Sequence, residues 1–284
     1  MENTEQLYAG DDLPALQLGS SEIGPNNPPW NGWIAVAVWV ASVLAILVIP
    51  TVMVAVYVLP KAGQFAGNSA DFIEFVKTDP TAVILQVVGI IPAHILTILL
   101  AWIVVTKFRK YSFRTTLGWD FGGMLWWHYG AILVGIFVLS MLVTNLYPEA
   151  DNDLLRILRS SRAAVFIVAA LATFTAPLVE EVIYRGILYS AFQRAFGMAF
   201  SVVIVTALFA AVHFPQYWPS YSTLALLTVL SLTLTLVRVK TKNLLPCIIL
   251  HTIFNGSQSI LLVLEPYLSK TAPDVEAALI QLFK

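Results

Sequence analysis

Long charge-free runs decide most of what this chain can become. Residues 33–60, 80–106, 121–147, 163–179, 195–237 and 243–264 contain no Asp, Glu, Lys or Arg. A helix needs about 20 apolar residues to cross a bilayer. The run at 195–237 is too long for one crossing, and Phe214-Pro215-Gln216-Tyr217-Trp218-Pro219-Ser220 breaks it in two. The expectation is an all-α, polytopic transmembrane helical bundle of about seven spans (six to eight), with Pro50 kinking the first. Charged residues make up 12% of the chain and apolar ones 58%. A soluble domain carries about 25% charged residues, so a single soluble core cannot hold this much apolar material.

Residues 1–30 carry five acidic residues, no Lys or Arg, and a Gly-, Asn- and Pro-rich end. They lack the basic region of a signal peptide and are expected to form a disordered cytoplasmic tail. Residues 31–284 are expected to be a single transmembrane domain, with a motif-bearing core at 163–264 and no internal repeat. Short-loop charges set orientation: Lys107, Arg109, Lys110 and Arg114, then Arg185 and Arg194, then Arg238, Lys240 and Lys242 fall on one side, assigned to the cytoplasm. Arg156, Arg159 and Arg162 fall on the other. The formal net charge of −1 gives no reason to expect a nucleic-acid partner, and Cys247 as the single cysteine excludes an internal disulfide. The expected surroundings are the lipid bilayer and a protein or peptide substrate.

Ionisable residues inside apolar spans are costly and face a bundle interior or water. Three pairs lie four residues apart and so share a helix face: Glu181 with Arg185, Phe209 with His213, and His251 with Asn255. Glu180 is turned by about 100° from Glu181 and is freer to point elsewhere. With Gly197 as the turn between spans four and five, Glu180 and His213 stand roughly 25 and 24 Å above it at 1.5 Å per residue. They are therefore level. His251 lies only about 12 Å beyond Asn243, so the three meet only if the hairpin tip projects past the start of the last span. Span four must then be unusually long or bent at Pro177. A glutamate in a dry site suits general acid–base work near neutral pH. Arg185 opposes this for Glu181, which leaves Glu180 as the candidate base. His213 could share in holding a water, and His251 and Asn255 could donate to an oxyanion. His94 and His128 have no partner by spacing and read as packing or interface residues; Cys247 reads as a small apolar filler.

These segments resemble the motifs of the CAAX-processing and bacteriocin-processing (CPBP) family of intramembrane proteases, which includes the Rce-type prenyl endopeptidase. Its pattern is Glu-Glu-x-x-x-Arg, Phe-x-x-x-His and His-x-x-x-Asn on successive spans, and all three occur in order within residues 180–255. The resemblance implies an intramembrane endopeptidase with a catalytic cavity in the C-terminal half, reached from the cytoplasmic side. It implies that Glu180 activates water with His213, that His251 and Asn255 form the oxyanion site, and that Glu181, Arg185 and Phe209 support them. The chain departs from the family in residues 230–235, where no glycine occurs. No cofactor is obligatory on this reading. Zinc stays open, with Glu180, His213 and His251 as the ligand set, as does a prenyl group on the substrate. The expected location is the plasma membrane of a prokaryote. Two alternatives are an ion- or proton-coupled transporter and a non-catalytic immunity or regulatory membrane protein.

Overall fold

A computed structural model describes residues 22–268 of the chain. Seven helical stretches among them are long and apolar enough to cross a membrane: Gly32–Phe65, Pro80–Thr106, Trp126–Leu146, Arg162–Phe196, Met198–Tyr217, Tyr221–Thr241 and Leu245–Glu265. The fold is the all-α polytopic bundle that the charge-free runs predict.

The first span is α1 (Gly32–Val58), capped by Asn31, whose side chain accepts from Ile34 N at 3.0 Å. A short tight helical stretch and α2 (Ser69–Thr78) lead into the second span, α3 (Pro80–Val88) and α4 (Ile90–Thr106). α5 (Phe113–Leu117) precedes the third span, α6 (Trp126–Leu146). α7 (Asp153–Ser160) is a short amphipathic helix outside the spans. The fourth span comprises α8 (Arg162–Ala170), α9 (Ala176–Glu181) and α10 (Tyr189–Phe196). α11 (Met198–Tyr217), α12 (Tyr221–Thr241) and α13 (Leu245–Leu268) complete the bundle.

The second span breaks at Gly89, where α1 crosses it. Gly89 has an ordinary right-handed φ of −59°, so its role is space: a Cβ there would stand 2.6 Å from Pro50 Cα. The fourth span is widened twice, by π-type turns at Leu171–Thr175 and Val182–Leu188. Pro177 explains the first. It has no N–H, and its ring crowds the carbonyl of residue 173. The preceding turn opens, and Ala176 N–H bonds Leu171 O instead of Ala172 O. At the far end the span closes on Gly197, whose φ of +85° is open to glycine at little cost.

Residues 22–30 differ from the disordered tail expected of them. Trp30 Nε1 donates to Ile187 O at 3.1 Å, and Arg194 Nη2 donates to Trp30 O at 2.8 Å. Arg238, fully buried, donates to Pro25 O at 2.6 Å, Asn26 Oδ1 at 3.1 Å and Ser190 Oγ at 3.2 Å. A segment with few apolar side chains is thus held by its backbone carbonyls, which two bundle arginines need as acceptors. Residues 1–21 and 269–284 lie outside the described residues.

Gly89→Ala is expected to lower stability by about 1–3 kcal/mol through overpacking, read as an earlier thermal unfolding midpoint in detergent. Gly130→Ala, where a Cβ meets nothing within 4 Å, is expected not to destabilise.

Candidate active site

The centre of the bundle holds an ion pair that water does not reach. Glu181 and Arg185 have no exposed side-chain surface, and Arg185 Nη1 lies 2.8 Å from Glu181 Oε1. A buried charge needs hydrogen bonds as well as a counter-charge, and α12 supplies them. Arg185 Nη2 donates to Ser231 O and Ser231 Oγ, both at 2.8 Å, and Nε donates to Thr235 Oγ1 at 3.3 Å. The guanidinium also lies 4.9 Å from the centre of the Phe209 ring, within cation–π range. The glycine-free α12 segment at residues 230–235 therefore carries the seat of the arginine. A polar pair at i, i+4 in an apolar span was the available signal for it, since the three motif pairs have the same spacing.

Glu181 also fixes a histidine. His251 Nδ1 lies 2.8 Å from the same oxygen, Oε1, while Oε2 is buried without a hydrogen-bond partner. Against a carboxylate already paired with arginine, His251 Nδ1 carries the proton, and Nε2 points away. His213 is held similarly by its own helix: Nδ1 donates to Phe209 O at 2.7 Å. The Phe209 ring stacks on His213 with centroids 4.6 Å apart and meets Tyr184 edge-on at 5.1 Å. Phe209 thus packs against three neighbours of the site at once.

Glu180 is partly exposed and receives both histidines. His213 Nε2 lies 4.0 Å from its Oε1 and His251 Nε2 lies 3.8 Å from its Oε2. The expected rotation of Glu180 away from Arg185, and its level with His213, both appear here. The Arg162–Phe196 span runs 35 residues, as the meeting of the three side chains requires. The separations exceed a direct hydrogen bond and suit groups that share a water. They also exceed the roughly 3.4 Å between neighbouring ligands that tetrahedral zinc bonds of 2.0–2.1 Å imply. Among the described residues no three His, Cys, Asp or Glu stand close enough to hold a metal ion. The donor set does not close around zinc in this geometry.

Asn255 reaches the same region for a separate structural reason. Its Nδ2 donates to Ala172 O at 2.9 Å, the carbonyl that the widened turn before Pro177 leaves without Ala176 N–H. Next to it, Thr173 Oγ1 donates to Ser259 Oγ at 3.0 Å. Cys247 is fully buried with Sγ 3.4 Å from Leu234 O, in keeping with a filler. His128 accepts from Leu125 N at 2.9 Å at the start of α6.

Glu180, His213, His251 and Asn255 line one cavity of about 1220 Å³. Its walls run from Tyr184 and His251 to Glu149, Arg159, Arg162, Gln216 and Glu265. These last residues lie on the face opposite the Lys107–Arg114 and Arg238–Lys242 loops. A cytoplasmic mouth therefore requires the reverse of the orientation given by the short-loop charges. At the mouth, Glu149 accepts from Asn152 Nδ2 at 3.1 Å and Thr223 Oγ1 at 3.3 Å. Burial holds its carboxyl above the usual carboxylate range, although these two bonds and the charge of Arg159 oppose the shift.

Ser231→Ala removes one acceptor from the buried guanidinium. It is expected to destabilise the protein by about 1.5–3 kcal/mol, the range for a hydrogen bond to a charged group, read by thermal unfolding in detergent. A second, exposed hydroxyl removed by Thr228→Ala serves as the neutral comparison.

No curated protein and no solved structure matches the chain. Residues 162–257, the stretch that holds all three motif pairs, match the family model described as Rce1-like, type II CAAX prenyl endopeptidase. The match covers 96 of the 284 residues and makes that stretch similar to CPBP/Rce1-type proteases.

Proposed function

We propose that the protein is an intramembrane endopeptidase in which Glu180 activates a water to hydrolyse a peptide bond of a membrane-associated protein or peptide. The observation that carries this is the position of Glu180 in a cavity at membrane depth, with two histidine Nε2 atoms at 3.8 and 4.0 Å. The family description, a CAAX prenyl endopeptidase, supports a peptide-bond hydrolase. A carboxylate between two oriented imidazoles is the equipment that reaction needs.

The tautomers assign the roles. Neutral His213, with its Nδ1 proton on Phe209 O, can only accept at Nε2. A water held between Glu180 and His213 donates one hydrogen to each and turns a lone pair toward the substrate carbonyl. Glu180 takes the proton as the C–O bond forms, and returns it to the amine nitrogen as the C–N bond breaks. The oxyanion needs donors. His251 donates from Nε2 only as the imidazolium, and Glu181 Oε1 is the counter-charge beside Nδ1. Asn255 has one amide hydrogen left after bonding Ala172 O.

In detergent or proteoliposomes, with prenylated and unprenylated CAAX peptides as probes, Glu180→Gln is expected to lower kcat/KM by about 10²–10⁴, the usual worth of general acid–base catalysis. His213→Ala is expected to act in the same range, with unchanged thermal unfolding in both variants. Full activity in Glu180→Gln, or a native protein that cuts neither peptide, would sink the reading. Cleavage is expected to survive exhaustive chelation; a loss that zinc restores would make the reaction metal-dependent.

A further inference from the structure

His94 stands on α4, outside the three motif pairs, and is 6% exposed. Its Nδ1 lies 2.9 Å from Thr175 Oγ1, inside the turn that Pro177 widens. The threonine hydroxyl has one proton, which it directs to Leu171 O at 3.2 Å. With the hydroxyl proton on Leu171 O, Thr175 accepts from His94 Nδ1. The neutral ring carries its proton on Nδ1, and Nε2 keeps a bare lone pair.

That lone pair is unused. His94 bonds to the protein through Nδ1, and Nε2 is not among the buried atoms that lack a partner, so it keeps some accessible surface. The ring lines that cavity together with Glu180, His213 and His251. α4 packs directly on α9 and on the 171–175 turn. A helix-to-helix tie through Nδ1 accounts for one nitrogen and leaves the other available on a ring that walls the space a substrate would fill.

A peptide drawn to this depth loses the water on its backbone N–H groups, and each then needs an acceptor. We propose that His94 is a substrate-positioning residue: its Nε2 accepts a hydrogen bond from a backbone N–H of the bound peptide and aligns the peptide across Glu180. This deepens the protease reading and rests on it.

The test measures binding in protein that does not cleave. Glu180→Gln protein in nanodiscs is titrated with a fluorescent prenylated CAAX peptide, and with versions N-methylated at one backbone nitrogen at a time. One N-methyl position is expected to weaken binding about tenfold, the cost of a hydrogen bond left unmade in a dry site. Adding His94→Leu is expected to weaken the parent peptide by a similar factor and to abolish the penalty at that position, the non-additivity expected of a direct contact. His94→Gln, whose side-chain oxygen can accept, is expected to recover most of the affinity. Parent binding unaffected by His94→Leu overturns the proposal. So does an unchanged N-methyl profile in that variant, which is what a purely structural histidine would give, and so does failure of every peptide to bind. A native protein that cleaves nothing, while these binding differences hold, would overturn the proposed function alone.

Discussion

Everything at this site depends on the Glu181–Arg185 pair being buried and still satisfied. An ion pair without water is stable only if its remaining donors find partners, and removing one member strands the other charge at about 3–5 kcal/mol. Arg185 therefore dictates what α12 presents, namely Ser231 and Thr235, and what α11 presents, the face of Phe209. Glu181 then has one oxygen that takes both Arg185 and His251. Four helices meet through these contacts. The carboxylate that does no chemistry in the proposed reaction is the one that orients the groups around the carboxylate that does.

Pro177 is the second constraint. A helix that loses an N–H and is crowded at residue 173 must widen or break. Here it widens, and the consequences are local and specific. Ala172 O is released and taken by Asn255, while Thr175 turns its hydroxyl between Leu171 O and His94. A backbone irregularity at membrane depth is tolerable where neighbouring side chains take up the freed groups. In this protein the freed carbonyl is taken up from α13, by Asn255, and α4 ties to the same turn through the Thr175 side chain.

The same contacts set protonation geometry. Three histidines line the cavity, and each is tied at Nδ1: to a carboxylate, to a backbone carbonyl, and to a hydroxyl. His213 and His251 accordingly turn Nε2 toward Glu180. His213 Nε2 beside the Glu180 carboxylate is arranged to accept a hydrogen bond from water. Donors for an oxyanion are scarcer there, which is why the protonation of His251 carries weight in the proposed mechanism.

Much of this was legible in the residues alone. Charge-free length is a direct consequence of bilayer thickness, so the seven spans follow from it. Spacing of four on a helix is geometry, so it separates Glu181, facing Arg185, from Glu180, facing elsewhere. Other features depend on which helices become neighbours, and periodicity within one helix carries no such information. The seating of Arg185 on Ser231 and Thr235, the capture of Ala172 O by Asn255, and the transfer of His94 from packing residue to cavity wall are contacts across 46, 83 and 81 positions. The N-terminal segment makes the same point. Its composition describes a chain too polar to fold on its own, and it takes a fixed place because Trp30 enters the core and two arginines of the assembled bundle take its carbonyls as acceptors. The amino-acid sequence by itself determined the number of crossings and which residues could not rest in lipid. The tertiary structure decided which of them meet, and at which end of the bundle their cavity lies.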